Sequence, residues 1–147
     1  MKFKNYELES LAKFFYELEL SGKSSRMRSR FLKLLEDYLK NIYSTERISI
    51  IEQFALRDEK GEILLNEDKT EVVLQPEKRK QCIKELEELA HEDFIIETTE
   101  TNKDMLITVG ETLLNCEVKL TGQQATLYYY WCEEFESAIA HYENKED

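Results

Sequence analysis

Apolar residues recur at spacings of three and four through the first sixty residues of this chain, and the period changes at Gly61. Spacings of three and four mark one face of a helix, so a chain patterned this way folds mainly from amphipathic helices. In "NYELESLAKFFYELEL" the face is Leu8, Leu11, Phe15 and Leu18. Asn5 is the predicted N-cap, Glu7 and Glu9 favour the positive end of the helix dipole, and Gly22 is the predicted stop. A second helix is predicted from Ser24 or Ser25, with the stripe Met27, Phe31, Leu34, Leu35, Tyr38 and Ile42. The short link makes the two an antiparallel helical hairpin. "STERISIIEQFALRDE" predicts a further helix with Ile51, Phe54 and Ala55 inward.

After Gly61, "GEILLNEDKTEVVLQ" reads as two short β-rich runs joined by a polar turn, Asn66 to Thr70. Pro76 suits the first turn of a helix, whose inward side is Ile83, Leu86, Leu89 and Ala90. "DFIIETTE" predicts a strand, "KDMLITVGETLLN" fits strand or short helix, and "CEVKL" fits another short strand. In "TGQQATLYYYWCEEFESAIAHY", Thr121 and Gln124 match a capping box. Tyr128, Trp131, Cys132, Phe135 and Ile139 line one face of that helix, which leaves Tyr129 or Tyr130 outward. The tail "ENKED" reads as solvated and frayed. With one proline, four glycines and no Gly/Ser/Pro linker, residues 1–147 read as a single α+β domain, mainly helical. It has an N-terminal antiparallel helical hairpin, a small β-sheet or hairpin and a C-terminal capped helix.

Sixteen aromatic residues exclude a disordered chain. No apolar run reaches the roughly 20 residues that cross a bilayer, and "MKFKNYELES" has no apolar run of the signal-peptide kind. Cys82, Cys116 and Cys132 are far apart and match no metal or redox spacing, so buried free thiols in a reduced cytosol are expected.

The net charge of −11 is unevenly spread: residues 1–57 carry 11 Lys/Arg against 8 Asp/Glu, and residues 58–147 carry 9 against 23. The basic part is densest in "SGKSSRMRSRF", with Lys23, Arg26, Arg28 and Arg30 and no acid. At about 100° per residue, Arg26, Arg30, Lys33 and Lys40 fall in one stripe opposite the apolar face. Lys23, Arg26, Arg30, Lys33 and Lys40 are therefore the candidate interaction surface; Asp37 interrupts the stripe at pairing distance from Lys33 and Lys40. The acidic part is densest in "KELEELAHEDFIIETTE", with Glu85, Glu87, Glu88, Glu92, Asp93, Glu97 and Glu100.

Several chemistries are disfavoured. Gly22-Lys23-Ser24 ends like a phosphate loop, but Glu17 stands where that loop needs glycine, and a helix rather than a strand precedes it. The carboxylates match no calcium loop, and His91 and His141 are isolated from the cysteines in sequence, so no metal, cofactor or catalytic residue is assigned. A chain of charge −11 repels phosphate beyond its basic patch, which disfavours nucleic acid as a partner.

Taken together, "LELSGKSSRMRSRFLKLLEDYL", "IEQFALRDEKGE" and "VKLTGQQATLYYYWCEEFE" resemble a family of short uncharacterised proteins encoded by phages and prophages of Gram-positive bacteria. The resemblance implies phage origin and a host-cytoplasm setting, and carries no activity or site residues. The expected function is a non-enzymatic interaction protein binding a host or phage macromolecule through charged surfaces, the expected partner being a host or phage protein, with a homodimer as one form of that interaction. Two alternatives are an inhibitor of host anti-phage defence that imitates nucleic acid with its carboxylates, and a small-molecule-binding protein.

Overall fold

A computed structural model describes residues 1–146. It is a mainly helical α+β structure with one small antiparallel sheet. The order is β1 (Lys2–Lys4), α1 (Leu8–Tyr16), α2 (Gly22–Tyr38), α3 (Ser44–Gln53), α4 (Arg79–Ala90), β2 (Asp93–Ile95), α5 (Lys103–Leu114) and α6 (Gly122–Lys145). The chain divides into two compact units, Met1–Asp37 with Asp93–Asp147, and Tyr38–Glu92.

The first unit is built round aromatic rings. Phe15 on α1 meets Phe31 on α2 with centroids 5.2 Å apart, and Phe135 on α6 lies 5.6 Å from Phe31 and 6.1 Å from both Phe15 and Phe3. Their tilted and edge-on geometries are those aromatic quadrupoles favour. Leu8, Leu11, Met27, Leu35 and Trp131 join this core as the periodicity predicts, while Leu34 and Ile42 stay exposed. Leu32 is buried in Leu34's place. A π-helical turn at Leu39–Tyr43 separates Ile42 from the regular helix, so the 100° step used to place it no longer applies.

"KDMLITVGETLLN" resolves as helix α5, burying Met105, Leu106, Val109, Gly110 and Leu113. Gly110 allows its close approach to α6: a Cβ there would lie 2.9 Å from Ile139 Cδ1 and 3.0 Å from Phe135 Cδ1. "CEVKL" forms no strand. The partner of β2 is β1 instead, in the register Lys2 with Ile95, Phe3 with Phe94 and Lys4 with Asp93.

The helix ends depart from expectation. Gly22 does not stop α1, which ends at Tyr16; it opens α2 with φ 59°. Arg28 does the capping, its Nη1 donating to the carbonyls of Phe15, at 3.2 Å, and Leu18. A guanidinium thus satisfies carbonyls that a C-terminal glycine turn would otherwise serve. Asn5 is not the N-cap; it is buried in a 3₁₀ turn, and Glu7 Oε2 accepts the Lys4 N–H at 2.8 Å. The Thr121–Gln124 capping box does not form, because Gly122 at φ 60° turns the chain between the hydroxyl and the helical N–H groups. The tail is helical to Lys145, and the Lys103 ammonium pairs with Glu146.

In the second unit α3 ends at Gln53, and Phe54 and Ala55 are buried beyond it. The residues that follow close a ring of backbone hydrogen bonds: Leu64 N–H to Leu56 O, Val73 N–H to Leu64 O and Leu56 N–H to Val73 O, at 2.9, 2.9 and 2.8 Å. The expected pair of β-rich runs is therefore three mutually bonded segments. Asn66 Oδ1 holds the expected turn by accepting from the Thr70 N–H at 2.9 Å. Pro76 opens a 3₁₀ turn leading to α4, where Cys82 and Leu89 are buried but Ile83 is exposed. Among the described residues, Phe54, Ala55, Cys82 and Leu89 are the only buried apolar side chains of this unit.

Two substitutions test this packing. Gly110→Ala should lower stability by about 1 kcal/mol, because overpacking costs roughly 1–3 kcal/mol and the helix-propensity gain returns about 1. Urea unfolding measures it, and a stabilised variant would show that α5 and α6 have room to spare. Glu7 is buried, and burial raises its carboxyl pKa above the ordinary value of 4.5. Its contribution to stability is therefore present below that pH and lost as pH rises through the raised folded value. Glu7→Gln keeps an acceptor for the Lys4 N–H, so the Tm of the variant minus that of wild type should grow as pH rises above 4.5. A difference independent of pH would contradict the assignment.

Candidate functional site

α2 carries four of the five candidate interaction residues. Arg26 and Arg30 stand exposed one turn apart, and Arg30 Nη1 approaches Met27 Sδ at 3.9 Å. Lys23 pairs with Asp104 at 2.8 Å and Lys33 with Asp37 at 3.5 Å, all four side chains being more than half exposed. Such pairs contribute about 0–1 kcal/mol. Lys40 lies in the π-helical turn and belongs to the second unit, so a regular helix does not carry the stripe to it. Arg28, the remaining cation of the cluster, is engaged in capping α1.

The acidic run also divides. Asp93 belongs to the sheet, where Lys4 at 2.8 Å and Lys2 at 4.0 Å hold its carboxyl below the ordinary value, mainly through the Lys4 hydrogen bond. Glu85, Glu88 and Glu92 line a groove of about 360 Å³ between α3 and α4, opposite Glu46, Ser49 and Gln53. Ile50 and Leu89 supply its apolar lining. Glu85 Oε2 is buried there without a hydrogen-bond partner. Glu46 was not singled out in the sequence; four carboxylates line one groove because α3 and α4 pack together.

The charges of α4 run against its own dipole. Its first turn has no acid, its last turn has no base, and Arg79 and Lys80 follow directly on the 3₁₀ turn that carries Glu77. Glu87 and Glu88 stand at the negative end. A stability-optimised helix has the reverse order, worth about 0.3–1 kcal/mol per exposed charge.

Two thiols and one phenol outside these surfaces are shifted upward. Cys82 is buried, which pushes its thiol up; Cys116 and Cys132 are half-buried rather than buried. Burial raises Cys132 as well. The Tyr128 hydroxyl donates to Leu113 O at 2.8 Å and lies 3.7 Å from Cys116 Sγ. Burial first, then its bonds to the two thiols, push the phenol well above its usual range. Raised thiols lack the thiolate that nucleophilic chemistry uses. No group of three or more His, Cys, Asp or Glu able to hold a metal occurs among the described residues. No helix of the described residues is long and apolar enough to cross a membrane.

The chain belongs to the family described as "Protein of unknown function (DUF1617)", whose model matches residues 1–141. No curated protein and no solved structure matches it.

Proposed function

We propose that this DUF1617 member is a non-enzymatic, phage-encoded interaction protein acting in the host cytoplasm, and that it engages a basic segment of a host or phage protein through the groove between α3 and α4. The observation that carries this reading is the charge order of α4: a helix that keeps carboxylates at its negative end gives up stability. A surface of that kind is explained by a partner that supplies the missing positive charge.

The groove suits a side chain with an apolar stem and a cationic head. Ile50 and Leu89 suit the stem, and the carboxylates that line the groove, Glu46, Glu85, Glu88 and Glu92, offer the head a partner. A charge-assisted bond between that head and a groove carboxylate is roughly twice as strong as a neutral one. The exposed Arg26 and Arg30 of a second copy have the matching chemistry, which makes self-association one form of the same contact. The phage setting is supported by the resemblance of the "LSGKSSRMRSR" and "LTGQQATLYYYW" stretches.

The test is Glu88→Lys together with Glu92→Lys. Stability should rise by about 0.3–1 kcal/mol per reversed charge, because each now complements the dipole. Affinity purification from host extract, with the captured protein then purified and titrated, should show a partner bound by wild type and lost by the variant. The interaction should weaken between 0.1 and 0.5 M salt. A variant that keeps the same partner at the same affinity, or a partner that proves to be nucleic acid, would overturn the reading.

A further inference from the structure

The first unit holds a second concavity, unrelated to the acidic groove. A cavity of about 460 Å³ lies between α1, the start of α6 and the stretch 118–120 that precedes it. Small-molecule sites typically measure about 300–1,000 Å³. Phe14, Leu18, Val118 and Leu120 form its apolar wall, with the indole of Trp131 behind. Val118 is 46 % exposed although it faces this apolar surface, so the walls have not collapsed onto each other.

The polar groups are weighted towards donors. Lys13 on α1 and Lys119 on the facing stretch both line the cavity, and neither forms an ion pair among the described residues. None of the backbone N–H groups of Val118, Lys119 and Leu120 donates a hydrogen bond among the described residues. Against these stand the carboxylate of Glu17, one turn from Lys13, and the side chains of Ser10 and Gln124. Two ammonium groups against one carboxylate leave the lining one charge positive.

We infer that this cavity is a binding site for a small organic monoanion with an apolar body, of the carboxylate class, whose head group lies between Lys13 and Lys119. The apolar wall takes the body, and the ammonium groups take the charge. Glu17 sets the charge selectivity: a second negative charge on the head group meets its carboxylate. The site is therefore built for a monoanion and against a phosphate dianion.

The chain has one tryptophan and it lines the cavity, so intrinsic fluorescence reports directly on occupancy. Decanoate, decanol and decyl phosphate, each below its micelle concentration, are titrated into the full chain and followed by Trp131 emission and calorimetry. Decanoate should bind saturably at one site, more tightly than decanol or decyl phosphate. Lys13→Gln and Lys119→Gln should each weaken decanoate by roughly tenfold, the loss of one charged hydrogen bond, and leave decanol unchanged. Glu17→Gln should admit decyl phosphate. Circular dichroism checks that each variant keeps its helices, which exposed lysines permit. No saturable binding of decanoate, equal binding of decanoate and decanol, or unchanged affinity in both lysine variants would overturn the inference.

Discussion

The ring of Phe135 organises the first unit. It is fully buried, within 6.1 Å of the rings of Phe3 and Phe15 and 5.6 Å of Phe31, and its Cδ1 lies where a Cβ on Gly110 would press. Residues of β1, α1, α2 and α5 therefore share one neighbour on α6. Because residues 3 and 135 must meet, this core closes only when distant parts of the chain are in place. Dense packing of this kind fixes positions to within a methyl group. The cavity beside α1 benefits: Phe14 is held 5.8 Å from both Tyr128 and Trp131, so its apolar wall is rigid.

The second unit is held differently. Its four buried apolar side chains give a thin core, and a closed ring of three backbone hydrogen bonds fixes the segments after α3. Helix α3 buries no residue completely, and Ile42, Ile48 and Ile83 remain exposed. Net stabilisation by a hydrogen bond is about 0.5–1.5 kcal/mol, smaller than that of a well-buried large side chain. The unit with the weaker core also carries the charge order that opposes its helix. Low local stability is where binding surfaces are commonly drawn from, and that pairing of features underlies the proposed function.

Much of the fold was legible because it rests on local period. The face of α1, Met27, Phe31 and Leu35 of α2, Trp131 and Phe135 of α6, the turn at Asn66 and the role of Pro76 follow from spacing and turn chemistry. What escaped depends on contacts far along the chain. β1 is three residues with one apolar side chain, visible only once Ile96 exchanges hydrogen bonds with Met1. Gly22 looked like a helix stop because the Arg28 cap comes from the next helix. α5 was ambiguous because Ile107, Thr108 and Val109 are β-branched and Gly110 is a poor helix former, while its docking on α6 requires that glycine. Of the charged surfaces, the residues were visible but their grouping was not: Glu46 joins Glu85 across a span of chain that no spacing rule connects, and Asp93 leaves the acidic run for the sheet.

Native-state amide hydrogen exchange tests the contrast between the two units most directly. The account predicts that amides of α1, α2, α5 and α6 exchange only through a high-energy opening, while those of α3, α4 and the three bonded segments exchange through a lower-energy opening that a bound basic partner suppresses. Equal opening free energies in both units would contradict it, as would slower exchange in residues 38–92 than in the aromatic core.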